Sequence, residues 1–541
     1  MRESIIKVVD SRALPVLVFA AICLLYLSTV SNQLGEYNGD TAYYLLLGNS
    51  IAQGNIYMDP VMPGEYPHTK YPFFYPLLLA PLIALKGMDM LWIRTFVALV
   101  AALSVAAWYG YFRETAGKRA ALGLAVLFAV HPYQLNFVTR TLSETPYLLF
   151  TGLCFYAYAR FVKSGKNSTY IAVIVLAVVS YFTRTAGVAL FAGIVASLLL
   201  HKHLRSKKTW RMPAWVPALL AFATAFALWS AYVYFNPSPL LSYFREMEAI
   251  VHPGDSFDIP GFAGHVFINV DYHLGQTFKN IFVFAPASAV AGLVLFGFFV
   301  YGALGGTAEE GLLPAFYALF YLAMIMMWPT FVDFRFIYPL LPLLLLFGHR
   351  VVKLPASRLK KAGPALPAAF FVILFSCYAF QTGRIVRAQH SPDPYPPRPT
   401  TMFGHKIEKP AVDWSDTSYA YKTPENMFAV GEFLVLNEII EKTFPENVVI
   451  SSDMPANTTL ITGLHAVRSP AYPTPAESLA YLESWQVDYV IVDRFSQNTA
   501  RCVVPLLKQY PDRFRKIIGE KGKLGPAVYR FLPSKQKKWS P

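Results

Sequence analysis

Long apolar runs broken by short polar segments dominate the first 380 or so residues of this chain. A helix needs roughly 20 mostly apolar residues to cross about 30 Å of hydrocarbon. On that measure the stretches 14–31, 91–111, 120–135, 145–162, 169–184, 186–200, 213–234, 280–302, 312–329, 336–349 and 364–381 read as transmembrane helices, several of them short, notably 169–184, 186–200 and 336–349. Beyond them the pattern changes. A proline-rich stretch, "SPDPYPPRPTT" (391–401), gives way to the β-branched runs "ENVVISSD" (446–453) and "VDYVIVDR" (487–494). Between these, "TPAESLAYLESW" (474–485) has helical spacing and a capping-style start, so a β-α-β arrangement is predicted. The organisation is therefore an α-helical polytopic membrane module over 1–381 with a long first loop at 32–90, a linker over 382–410, and a small α/β domain over 411–541. No repeat of 20 to 50 residues is visible.

Composition and charge sharpen this picture. With 55% hydrophobic and 15% charged residues, the chain is too apolar for an ordinary soluble enzyme. Its net charge of +14 would suggest nucleic acid in a soluble protein, but the cations follow the loops. Arg2, Lys7 and Arg12; Arg113, Lys118 and Arg119; Arg160, Lys163 and Lys166; "HKHLRSKKTWR" (201–211); and "HRVVKLPASRLKK" (349–361) all fall on one side if the N-terminus is cytoplasmic. Segment 303–311 alone lacks basic residues there. Such asymmetry encodes orientation, so no nucleic-acid partner is expected. The reading is a multi-pass protein of the inner (plasma) membrane, with the first loop and the C-terminal domain extracytoplasmic. Cys23, Cys154, Cys377 and Cys502 lie far apart, three in apolar runs, which supports neither a disulfide framework nor a zinc knuckle.

Candidate chemistry sits at the outer ends of these runs. In "NGDTAYY", Asp40 is suited to cap the following helix, or to act as a general base at the membrane surface. That helix, with Tyr44 in it, would lie along the interface and hold the loop. "YPHTKYPFFYPLLLAPL" (66–82) embeds His68 and Lys70 among aromatics; this is either an interfacial belt or a lysine placed to meet a lipid phosphate. "VTRTLSETPYLLF" (138–150) sets Glu144 at the start of a span, four residues from Arg140, a spacing that allows a helical ion pair. "FTRTAG" holds Arg184 between two apolar runs, and "VDFRFIYPLLPLLLL" holds Asp333 and Arg335 before another. Ionisable groups at such depth are functional candidates by default. His252, Asp255, His265, Asp271 and His273 match no metal motif.

In order along the chain, "NGDTAYY", "HTKYPFFYPLLLAPL", "LSETPYLLF", "FTRTAG" and "FRFIYPLLPLLLL" resemble the polytopic GT-C glycosyltransferases that use polyprenyl-phosphate-linked sugars. The group is family 39, which contains the protein O-mannosyltransferases and the lipid A aminoarabinose transferases. The resemblance covers roughly residues 14–350. It implies Asp40 as catalytic base and Glu144 as second essential carboxylate. Lys70 and Arg184 would contact the donor phosphate, with Arg335 near the same pocket; Tyr44 and His68 would support the loop. The chain carries Thr41 and Thr69 where family members often carry acidic residues. No cofactor is called for, and a divalent cation has no clear ligand motif. The implied partners are a polyprenyl-phosphate sugar donor, membrane lipids, and a lipid, glycan or protein acceptor. Intramembrane charges also mark transporters and flippases of lipid-linked or anionic substrates. Those often show internal repeats and midplane charge, whereas the charges here gather at one face.

Overall fold

The computed structural model describes residues 13–30, 39–55, 57–200, 213–239, 259–273, 289–305, 312–328, 334–358, 365–389, 401–402, 405–406 and 424–532. The basic N-terminal segment, the loop 201–211, His252, Asp255, Asp333 and residues 391–400 of the proline-rich stretch lie outside them. Every apolar run named above carries a helix within the described residues: Ala13–Leu27, Met90–Ala116, Lys118–Ala129 with Pro132–Val138, Glu144–Ser164, Asn167–Thr183, Gly187–Leu200, Trp215–Phe235, Ala289–Leu304, Leu313–Met326, Leu341–Arg358 and Ala365–Gln389. Three described helices, at Met90–Ala116, Trp215–Phe235 and Ala365–Arg387, are long and apolar enough to cross a membrane. A fourth span results if Lys118–Ala129 and Pro132–Val138, bent by 61°, count as one. The chain is an α-helical polytopic membrane protein with a small α/β domain after its helices.

The bend falls where the sequence suggested a single run over 120–135. Pro132 cannot donate the helical hydrogen bond and occupies the first turn of a new helix, where that loss is harmless. His131 caps this turn, its Nδ1 accepting the Tyr133 amide at 3.2 Å.

The first loop is a folded unit built on two helices, Gly39–Ala52 and Phe74–Lys86. Pro76 and Pro81 sit within the second helix, which is why "YPFFYPLLLAPL" reads as a loop by residue type. The two helices touch at Gly48, where an added Cβ would come within 3.0 Å of Ile83 Cδ1 and 3.1 Å of Leu79 Cβ. The expectation that Gly39–Ala52 lies along the membrane interface is corrected by its burial. Thr41, Ala42, Tyr44, Leu45, Leu46, Leu47, Gly48 and Ser50 are all buried, and a run of consecutive buried residues leaves no single apolar face to give to lipid. One side packs on Phe74–Lys86, the other on helix Pro455–Thr462 of the C-terminal region. Ala42, Leu46, Val61 and Ala456 form a separate small core there.

The C-terminal region contains a five-stranded sheet. In spatial order its strands are His465–Arg468, Val449–Ser452, Tyr489–Val492, Ala527–Phe531 and Phe514–Gly519. The first three are parallel, and Ala527–Phe531 runs antiparallel to both of its neighbours. The predicted strands near 449 and 489 are adjacent, and helix Pro475–Ser484 opens with a full capping box between Thr474 and Glu477. Helix Pro455–Thr462 and the strands at 465, 514 and 527 are additions to the expected β-α-β unit. The sheet reaches the first loop directly, the Ala466 amide donating to the Val61 carbonyl at 2.8 Å.

Candidate active site

Four helix ends deliver the predicted charges to one place. Asp40 is in the first turn of Gly39–Ala52 and Glu144 is the first residue of Glu144–Ser164. Arg184 follows the last residue of Asn167–Thr183, and Arg335 sits in a short 3-10 turn, Phe334–Phe336. The Arg184 turn is tight. The Arg184 amide donates to Ser180 at 3.0 Å, and the Gly187 amide donates to the Arg184 carbonyl at 2.9 Å. Gly187 presses against the preceding helix so closely that a Cβ would lie 2.6 Å from Tyr181 Cα.

These side chains form one continuous ion chain. Arg335 Nη2 lies 2.6 Å from Asp40 Oδ2, while Arg335 Nε donates to Glu144 Oε1. Arg184 Nη1 reaches the same Glu144 oxygen at 2.8 Å and Ser143 Oγ at 3.3 Å. Ser143 also accepts the Tyr44 hydroxyl at 2.9 Å, so the predicted loop support is a direct tie between the two carboxylate-bearing helices. The Arg140–Glu144 spacing is not what neutralises Glu144: its Oε1 is taken by Arg184 and Arg335, and the Arg140 guanidinium lies over the Phe137 ring. Glu144 Oε2 is buried and makes no hydrogen bond among the described residues.

Accessibility grades along the chain of charges. The Glu144 side chain is fully buried, Arg184 and Arg335 are 13% and 14% exposed, and Asp40 is 28% exposed. Asp40 is thus the carboxylate that an incoming molecule meets. Burial pushes its carboxyl pKa up, but Arg335, the Tyr71 hydroxyl and Lys70 outweigh this and hold it below the ordinary 3.8. It is a carboxylate at neutral pH.

Residues that the sequence reading passed over complete the arrangement. The Tyr71 hydroxyl donates to Asp40 Oδ1 at 2.5 Å. Behind Tyr71 stands His68, whose ring stacks on Tyr71 with centroids 5.3 Å apart, and His68 Nδ1 meets Asp59 Oδ2 at 2.8 Å. Tyr71 and Asp59 lie in an aromatic, proline-rich stretch where a phenol reads as a belt residue; the three-residue step from His68 to Tyr71 was the only local signal. Lys70 is half-buried beside them. Among the described residues no group of three His, Cys, Asp or Glu side chains could hold a metal ion.

Residues 70–232, which include Lys70, Glu144 and Arg184, match the family model described as dolichyl-phosphate-mannose-protein mannosyltransferase. No curated protein matches the sequence. The crystal structure of ArnT from Cupriavidus metallidurans bound to undecaprenyl phosphate superposes with a TM-score of 0.55 at 12% identity, over 97% of this chain and 99% of that one. The fold is that of the GT-C glycosyltransferases. The apo state of the same ArnT gives a TM-score of 0.56 at 11% identity, over 96% of this chain and 98% of that one. The archaeal oligosaccharyltransferase AglB from Archaeoglobus fulgidus, in complex with an inhibitory peptide and a dolichol-phosphate, gives 0.50 at 13% identity over 89% of this chain and 70% of its own. The matched segment supplies Glu144 and Arg184, while Asp40 and Arg335 come from either side of it.

Proposed function

We propose that this GT-C chain is a membrane glycosyltransferase that moves a sugar from a polyprenyl-phosphate donor to a hydroxyl acceptor on the extracytoplasmic face of the inner (plasma) membrane. The observation that carries this reading is the ion chain in which the partly exposed Asp40 is joined through Arg335 to buried Glu144 and Arg184. Two structural neighbours solved with undecaprenyl phosphate and dolichol-phosphate support the donor class.

The chemistry follows from the charges. A sugar on a lipid phosphate already carries its leaving group, so transfer needs a base for the acceptor and cations for the departing phosphate. The acceptor oxygen attacks the anomeric carbon as its proton passes to Asp40. The bond from that carbon to the phosphate oxygen breaks, and its electron pair stays on the phosphate. Lys70, Arg184 and Arg335 set three cations against the two carboxylates Asp40 and Glu144, leaving net positive charge for the anion. A single displacement inverts the anomeric centre, because no carboxylate here is asked to form a glycosyl ester. Glu144, fully buried, pairs through one oxygen with both Arg184 and Arg335 and so holds the two cations beside Asp40.

The test is transfer by purified protein in lipid nanodiscs against a panel of polyprenyl-phosphate sugars and hydroxyl acceptors. Asp40→Asn is expected to lower the rate by about 10²–10⁴, the usual worth of a general base, with folding and donor binding retained. Wild-type transfer rates in Asp40→Asn overturn the base assignment.

A further inference from the structure

Asp59 and His68 are fully buried as side chains, yet they are absorbed by no step of the proposed reaction. Their hydrogen bonds explain why they are there. Asp59 Oδ1 accepts the Val61 amide at 3.0 Å and the Met62 amide at 3.4 Å, and Oδ2 receives His68 Nδ1 at 2.8 Å. His68 Nε2 accepts the Tyr71 amide at 3.1 Å. An imidazole nitrogen that accepts carries no hydrogen, so Nδ1 is the protonated one and the ring is the neutral Nδ1–H tautomer. With both nitrogens committed, His68 is not a proton carrier. Tyr71 is fixed from further sides: its carbonyl accepts the Tyr57 hydroxyl at 2.7 Å, and its ring lies against His68 and Tyr44. The His68 carbonyl in turn accepts the Tyr232 hydroxyl at 3.3 Å, which ties the assembly to helix Trp215–Phe235.

We infer that Asp59, His68 and Tyr71 are a positioning bracket: the buried Asp59–His68 pair clamps the Tyr71 backbone and ring so that its hydroxyl holds Asp40 Oδ1 while Arg335 holds Oδ2. The inference rests on the reading of Asp40 as the base. A carboxylate gripped through both oxygens cannot rotate, so the direction from which an acceptor proton arrives is set before the acceptor binds. The groups facing Asp40 are Arg335, Lys70 and Tyr71, with Tyr43, Tyr44 and Glu144 around them. Of these, Tyr71 is the neutral donor on Asp40. Deleting its oxygen removes that hydrogen bond and changes no formal charge.

The experiment compares Tyr71→Phe, His68→Ala and His68→Gln by two readouts. One is the split between kcat and donor KM; the other is the titration of the Asp40 carboxylate by infrared difference spectroscopy, with Asp40→Asn as the reference. Tyr71→Phe and His68→Ala are expected to lower kcat by about tenfold or more, the worth of a hydrogen bond to a charged group, at little changed donor KM. Both should move the Asp40 titration upward. His68→Gln presents Oε1 where Nε2 accepted the Tyr71 amide, and is expected to recover much of the loss, which a role in mere packing would not produce. If His68→Ala fails to fold, Tyr71→Phe decides: unchanged kcat and an unmoved Asp40 titration overturn the inference. If the wild-type protein transfers sugar from no lipid phosphate while the titration still moves in Tyr71→Phe, the bracket stands and the glycosyltransferase reading falls.

Discussion

Asp40 and the two aspartates at the strand ends of the C-terminal sheet, Asp453 and Asp493, are held by opposite means. Asp40 is gripped by a guanidinium and a phenol, with a lysine nearby, and is held below 3.8. Asp493 takes only neutral donors: the amides of Phe495 and Ser496 at 3.1 and 2.7 Å and the Thr499 hydroxyl at 2.7 Å. Asp453 accepts the Asn498 amide group at 3.1 Å. Burial pushes both carboxyls above 3.8, helped at Asp453 by the nearby Asp493 charge; the hydrogen bonds, and Arg468 near Asp453, only soften the rise. Neutral donors shape a loop, whereas cations keep a carboxylate ionised where solvent is scarce. The difference separates a structural turn from a reactive group although the residue type is the same.

The contrast can be broken most forcefully at Glu144. Glu144→Gln leaves Arg184 and Arg335 facing a neutral amide in a buried site, and losing one partner of such a pair typically costs about 3–5 kcal/mol. Thermal unfolding in nanodiscs should show a large loss, with transfer lost as well. Gly187→Ala tests the Arg184 turn without touching a charge. The added methyl meets the Tyr181 backbone, and forced overpacking costs about 1–3 kcal/mol. A fall in donor affinity alongside the lost stability would show that the turn places Arg184. Thr474→Ala removes the capping box at helix Pro475–Ser484 for about 0.5–2 kcal/mol. Local hydrogen exchange should rise there while transfer stays at the wild-type rate.

Acidification gives the smallest effect and the most direct comparison. Asp40, depressed on folding, contributes stability that is present above 3.8 and is lost as pH falls through its lower folded value. Asp453 and Asp493, raised on folding, contribute stability that is present below 3.8 and is lost as pH rises through their folded values. Between neutral pH and pH 4, exchange protection around 449–499 should therefore increase while that around Asp40 stays level; below 3.8 the Asp40 region should weaken. Parallel pH profiles for the two regions would contradict the opposed shifts.

Much of this was legible along the chain because charge in an apolar sequence is conspicuous. Asp40, Lys70, Glu144, Arg184 and Arg335 stood out one by one. Their pairing did not: Arg335 and Glu144 are 191 residues apart, and no local spacing announces that they form an ion pair. Tyr71 and Asp59 escaped for a different reason. A phenol in an aromatic-rich loop has no contrast with its neighbours, and a buried aspartate that binds amides looks like any turn residue. Helix Phe74–Lys86 was hidden by Pro76 and Pro81, which local propensity penalises and tertiary packing overrides. In the C-terminal region the capping box and β-branched runs were sufficient for three elements. The strands at 465, 514 and 527 are short, and their partners settle them more than their composition does.

The hydrogen bond from Ala466 to Val61 has a bearing on solubility. His465–Arg468 is the outermost strand on its side of the sheet, and an edge strand offers backbone groups to any second chain that passes. The first loop supplies a partner for that edge from within the molecule. A C-terminal region expressed alone, beginning near residue 424, would present the edge bare, and self-association through it is the expected fate of the fragment.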